Sequence, residues 1–222
     1  MRKNILVCVA HRDDETIGCG ATIYRHWKNG DKVFCLSMTD GVGARDKSQK
    51  KDIEIRKKGS ILASKILKFT WLEHNEKFLD NQLDNYPLLK IVKLIEFFKN
   101  KINPDIVYTH SELDLNIDHK VVSQATLTAF RPLRGDKCQK IISFEVLSSS
   151  DYSINAFEPN YFIDISKFWS KKKLALKAYG KEILNTKTSR TLKGLETLAT
   201  YRGLMSGQKF SESFRILRIL EK

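Results

Sequence analysis

Residues 11–15 read His-Arg-Asp-Asp-Glu and follow directly on an apolar run, Asn4–Ala10. Three consecutive carboxylates repel one another, so something must offset them. A helix N-terminus does so in part, through its free N–H groups and its dipole; a bound cation does so in full. A second polar stretch, His110 to His119 (HSELDLNIDH), follows another short apolar run, Asp105–Thr109. Histidine and carboxylate side chains suit zinc, and a catalytic zinc takes three protein ligands and keeps one position for water. The two stretches together supply a histidine, an aspartate and a second histidine. Two adjacent aspartates then have separate tasks: one ligates, and the other takes a proton from water.

The hydrophobic pattern gives the elements that must bring these stretches together. Asn4–Ala10, Lys32–Met38, Lys68–Leu72, Asp105–Thr109 and Lys140–Leu147 are short apolar runs that read as strands of a buried sheet. Thr16–Asn29 carries Ile17, Ala21 and Tyr24 at helical spacing and stops at Asn29-Gly30. Lys50–Leu67, Pro87–Lys101, Asp118–Phe130, Lys167–Leu184 and Leu192–Met205 also read as helices, and Tyr161–Ile165 as a shorter extended piece. Thr39–Gln49 and Glu73–Asn85 are polar and irregular. Strands alternating with helices predict an α/β fold, a mostly parallel sheet with helices on both faces. Residues 1–222 read as a single domain with a helical C-terminal third packed on it. Ligands of such sheets bind outside the carboxyl ends of the strands, which puts both polar stretches at one edge.

Composition narrows the partners. The net charge of +13 admits nucleic acid, a membrane surface or an anionic small substrate. The lysines are spread along the chain, with no arginine-rich stripe, RNP-like motif or zinc finger, which argues against nucleic acid. General lysine enrichment and an anionic substrate are the readings left. No apolar run approaches the roughly 18 residues of a membrane span, so no stable membrane insertion is expected. The start, MRKNILVCVA, lacks a small-residue cleavage site and reads as a first strand rather than a signal peptide. Cys8, Cys19, Cys35 and Cys138 form no CxxC pair and read as reduced, buried thiols of a cytosolic protein. Nothing in the sequence fixes an oligomeric state.

HRDDE in its strand context is similar to the AHPDDE signature of the PIG-L/LmbE-like N-acetyl-sugar deacetylases, and LDLNIDHK, residues 113–120, resembles the second motif of that family. TDGVGARD, the RPxxG of Arg131–Gly135, FEPNYFIDIS, KKLALKAY and the closing RGLMSG and SESF extend the resemblance over nearly the whole chain. The resemblance implies a Rossmann-like fold and removal of the acetyl group from an N-acetylated amino sugar. It implies zinc held by His11, Asp14 and His119, with Asp13 as general base; iron(II) fits the same ligands. The basic balance adds that the sugar is carried by a nucleotide or a related anionic group.

Departures from the family pattern matter. Arg12 stands in place of a proline, and Lys57-Lys58-Gly59 in place of a glutamate. Asn116 stands where many relatives carry a second histidine. Asparagine can donate a hydrogen bond to an oxyanion but cannot donate a proton at neutral pH, so acid catalysis falls to Asp13 or another group. Rival readings are hydrolysis of another amide or of a phosphoester with the same metal, or a nonhydrolytic sugar-binding relative. Arg45, Arg56 and Asp80 are candidate substrate contacts, with a solvated charge as the alternative, and Arg190 is a weaker candidate. Asp118 reads as a helix cap or as the orienter of a ligand, Asp114 as a turn residue, and Glu15 as a helix-start charge. His110 is as much a structural histidine as a site residue. His26 and His74 lie in no convergent motif.

Overall fold

The computed structural model describes residues 2–43, 50–183 and 188–221, so Arg45 lies outside the described residues. Five strands run parallel: β1 (Asn4–Val9), β2 (Lys32–Ser37), β3 (Thr70–Trp71), β4 (Ile106–His110) and β5 (Lys140–Phe144). They alternate with α1 (Asp14–Lys28), α2 (Lys50–Leu67), α3 (Leu88–Ile102) and α4 (Ile117–Ala129). β6 (Tyr161–Asp164), α5 (Trp169–Ala178), α6 (Leu192–Ser206) and β7 (Ser211–Ile219) complete the chain. The strand order is β3-β2-β1-β4-β5-β7-β6, with β7 antiparallel to both its neighbours. The mostly parallel α/β architecture expected from the sequence is the one found.

The C-terminal third differs from its reading as helical. β7 inserts between β5 and β6, and α5 stops at Ala178, before a short turn at Gly180–Glu182. β7 reads SESFRILRI, with charged residues between apolar ones and a second half only partly buried. A strand covered so unevenly carries little of the apolar run that marks the central strands.

Successive side chains of a strand point to opposite faces. Ile5, Val7 and Val9 pack with residues of α1, α2, α5 and α6, and Leu6, Cys8 and Ala10 pack with residues of α3 and α4. β1 lies between β2 and β4, and the helices that follow β1 and β4 cover opposite faces. That is the topological switch point of an open sheet, where the diverging connections leave a crevice. Among the described residues no helix is long and apolar enough to cross a membrane.

α1 is not continuous. Cys19 has φ −142° and ψ 23°, which breaks the helix one turn after the site loop. The N–H groups of Ala21 and Thr22 donate instead to Glu212 on β7, at 3.0 and 2.7 Å. Lys172 of α5 completes the arrangement, with Nζ 2.6 Å from Glu212 Oε1 and 2.7 Å from the Ile17 carbonyl. Gly18 lets this turn approach β5 closely, since a Cβ there would lie 2.3 Å from the Phe144 ring.

Candidate metal and catalytic site

The turn after β1 and the loop after β4 meet in the crevice. His11 Nδ1 lies 3.3 Å from Asp14 Oδ2, His119 Nε2 lies 3.3 Å from the same oxygen, and the two nitrogens are 3.3 Å apart. These three donor atoms form an equilateral triangle within a buried cluster. A tetrahedral ion with bonds of about 2.0–2.1 Å separates its ligand atoms by about 3.3–3.4 Å, so the triangle fits zinc.

The outer nitrogens set the tautomers. His11 Nε2 lies 3.1 Å from Asp118 Oδ2 and 3.0 Å from Asp80 Oδ1, which places the proton on Nε2 and leaves Nδ1 as a lone pair. His119 Nδ1 lies 3.1 Å from Asp114 Oδ2, which leaves Nε2 free in the same way. Two lone pairs and a carboxylate oxygen facing one centre call for a cation. Burial resists charge on both rings, but the surrounding carboxylates by themselves outweigh it, Asp14 with Asp118 and Asp80 at His11 and Asp14 with Asp114 at His119: His11 is held well above the usual histidine range and His119 is pushed up to about 8. The two histidines in turn hold Asp14 well below the usual carboxylate range against its burial.

Each of the three adjacent carboxylates is therefore offset differently. Asp14 faces the two histidines. Asp13 is fully buried and its Oδ2 accepts from Arg56 Nη2 at 2.8 Å and from Arg190 Nη2, while Oδ1 has no hydrogen-bond partner among the described residues. Burial pushes the Asp13 carboxyl up, and the two guanidinium groups work against that rise. Glu15 accepts from Thr16 and from Tyr179, both at 2.6 Å, and burial pushes it up to about 7. The helix N-terminus contributes no side-chain cap at Asp13.

The remaining expected residues are placed as follows. Asn116 caps α4, its Oδ1 accepting from the N–H of Asp118 at 2.8 Å and of His119 at 3.4 Å, which leaves the amide NH₂ as a donor. Arg56 is read from the sequence as a substrate contact. Here its guanidinium is committed to Asp13, to Glu182 at 2.5 Å and to the Gly41 carbonyl, and only 4% of it is exposed. Asp80, also read as a substrate contact, sits against His11. Asp118 takes the orienting role and also accepts from the N–H of Asn81 and Leu83, pinning that loop. Asp114 is more than a turn residue: besides His119 it accepts from Ser149 and Ser150. His110 accepts from the Ala10 N–H at 2.9 Å and stacks on His119, and burial keeps it neutral, well below the usual histidine range. His74 hydrogen-bonds the Ser37 carbonyl and faces the Phe78 ring, and His26 pairs with Asp31 and Tyr108.

A cavity of 410 Å³ opens alongside, lined among others by Arg12, Thr39, Arg56, Lys57, His74 and Lys77. Arg12 lies over the Trp71 ring and pairs with Glu73 at 2.7 Å, so the residue that replaces the expected proline is anchored at the cavity wall.

The uncharacterised deacetylase YaiS of Escherichia coli is 30% identical over 178 residues, covering 78% of this chain and 88% of its own. The diacetylchitobiose deacetylase of Thermococcus kodakarensis is 26% identical, with 97% of this chain and 83% of its own covered. The crystal structure of the N,N'-diacetylchitobiose deacetylase of Pyrococcus horikoshii superposes with a TM-score of 0.78 at 23% identity, over 97% of this chain and 84% of that one. The PIG-L family, described as GlcNAc-PI de-N-acetylase, matches residues 6–130, from β1 past the end of α4. The match takes in both motifs from His11 to His119, and by it this chain belongs to the PIG-L family of deacetylases.

Proposed function

We propose that the protein is a zinc-dependent hydrolase that removes the acetyl group from an N-acetylated amino sugar, with His11, Asp14 and His119 as ligands and Asp13 as general base. The observation that carries this reading is the triangle of donor atoms, with one further buried carboxylate beside it. A divalent ion bound there supplies a Lewis acid that polarises the amide carbonyl and lowers the pKa of water. Asp13 Oδ1 takes one proton from the attacking water as the carbon–oxygen bond forms. It returns that proton to the nitrogen as the carbon–nitrogen bond breaks, leaving acetate and a free amine. Asn116 offers its amide N–H to the developing oxyanion. Iron(II) suits the same donors.

The names of the two archaeal relatives support an amino-sugar substrate. An anionic carrier on that sugar is supported by the net charge and by two exposed lysines, Lys57 and Lys77, on the cavity wall. We place the reaction in the cytosol, in keeping with four buried cysteines, all of them free.

The test is acetate release from a panel of N-acetylated sugars, free and nucleotide-linked, by zinc-loaded protein and by Asp13→Asn. The expected result is turnover of at least one sugar, lowered about 10²–10⁴-fold in the variant with bound zinc unchanged. Full turnover by Asp13→Asn removes the general-base assignment. No acetate from any sugar, with zinc bound, removes the deacetylase reading.

A further inference from the structure

We propose that Arg190 is a positioning residue for catalysis, holding Asp13 by one oxygen so that the other is presented to the reacting atoms; this rests on Asp13 being the base. Arg190 stands 177 residues away from Asp13 in sequence, in a segment that no deacetylase motif of the chain includes. Its guanidinium reaches three separate loops. Nη2 donates to Asp13 Oδ2 in the turn after β1, Nε to the Glu182 carbonyl at 3.0 Å, and Nη1 to Ser148 Oγ, after β5, at 3.5 Å.

The segment that carries it is fixed. Thr191 caps α6 by accepting from the Gly194 N–H at 2.9 Å, and its own N–H donates to the Ser189 carbonyl at 2.9 Å. Gly194 packs so tightly under Ser189 that a Cβ there would lie 2.1 Å from the Ser189 carbonyl oxygen. Arg56 approaches the same Asp13 oxygen from α2, and Glu182 joins the two arginines, accepting from Arg56 at its carboxylate and from Arg190 at its carbonyl.

The chemical consequence lies in the asymmetry. Both guanidinium groups bind Oδ2, and Oδ1 is the buried oxygen with no partner among the described residues. A guanidinium does not give up its proton in a protein, so the clamp orients the carboxylate without offering the transferred proton an exit. A proton taken at Oδ1 remains there until the leaving nitrogen collects it. Arg56 is closed off at 4% exposure, whereas the Arg190 side chain keeps 18%, so the outer half of the clamp can be removed and replaced from solvent.

The experiment uses the full-length zinc-loaded protein, with the best sugar of the panel as substrate, and compares Arg190→Gly, Arg190→Lys, Asp13→Asn and Asp13→Asn/Arg190→Gly. Arg190→Gly is expected to lower kcat about 100-fold, the effect of a misplaced catalytic group, while KM and bound zinc stay within about threefold of wild type. Millimolar guanidinium is expected to restore part of that kcat in Arg190→Gly and to do nothing for wild type. The double variant is expected to be no slower than Asp13→Asn alone. A wild-type kcat in Arg190→Gly overturns the proposal. A raised KM at unchanged kcat also overturns it, because Arg190 then binds substrate. So does a double variant slowed by the full additional factor. If Arg190→Gly fails to fold, Arg190→Lys carries the same kcat and KM readings. Failure of the base reading is separately visible, as full activity in Asp13→Asn.

Discussion

At the scale of single residues, a run of three carboxylates has been given three environments. Asp14 is ionised against two histidines, Asp13 is clamped by two arginines, and Glu15 is hydrogen-bonded to neutral hydroxyls. His11, Asp14 and His119 were legible as candidate donors because they lie in the turn after β1, at the first residue of α1 and in the first turn of α4, behind strands that a parallel sheet sets side by side, and because the motifs that hold them resemble those of the family. Arg190 and Glu182 were not legible as partners of this site, because no local pattern reports a contact across so much chain. Asp118 shows how much depends on one such group. Its carboxylate orients His11 through Nε2 and also holds the N–H groups of Asn81 and Leu83. Asp118→Asn keeps the shape and removes the charge that fixes the His11 tautomer. Zinc affinity, read by competition with a chromophoric chelator, is expected to fall about 10–100-fold. Unchanged affinity would mean that Asp80, 3.0 Å from the same nitrogen, is sufficient alone.

At the scale of elements, the break in α1 and the antiparallel strand β7 are one device. A helix that stops at Cys19 and resumes leaves N–H groups without intrahelical acceptors, and buried donors left unpaired are costly. Glu212 is the acceptor, and it is itself a buried charge that needs Lys172. The break was not legible from local spacing, since Ile17, Ala21 and Tyr24 fit a continuous helix. Its cause lies on β7, a strand whose mixture of Ser, Glu and Arg hides its place in the sheet. The four central parallel strands were legible because burial on both faces demands unbroken apolar runs. Glu212→Ala leaves two backbone donors unpaired in the interior and removes the counter-charge of the buried Lys172, which keeps only the Ile17 carbonyl. It is expected to destabilise the fold by about 3–5 kcal/mol, read from urea unfolding midpoints. Glu212→Gln, which keeps an acceptor, should cost less than Glu212→Ala. Equal costs for the two would assign the stability to the charge rather than to the repaired helix break.

At the scale of the molecule, the question is whether the net charge of +13 serves the site. The number is plain in the sequence, but its distribution is not, because a lysine's position in the fold decides which charges a ligand meets. Around the crevice most of the cations are already paired: Arg12 with Glu73, Arg56 with Asp13 and Glu182, Arg190 with Asp13. Lys57 and Lys77 are exposed on the cavity wall, beside an exposed Asp40 and a Glu76 that pairs with Lys90, so an anionic carrier would sense these two lysines and the overall field against one nearby carboxylate. Exposed charges act through solvent, where screening shortens their reach to about 8 Å at physiological ionic strength and further at higher salt. For a nucleotide-linked N-acetyl sugar, kcat/KM should therefore fall steeply as salt rises toward about 0.5 M. For the corresponding free sugar it should stay nearly flat. Lys57→Glu combined with Lys77→Glu should flatten the first curve toward the second while leaving the free sugar unaffected, since among the described residues neither lysine contacts Asp13, Asp14, His11 or His119. Parallel salt curves for the two substrates would detach the basic charge from substrate choice and leave the sugar ring and its acetamido group as the only features recognised.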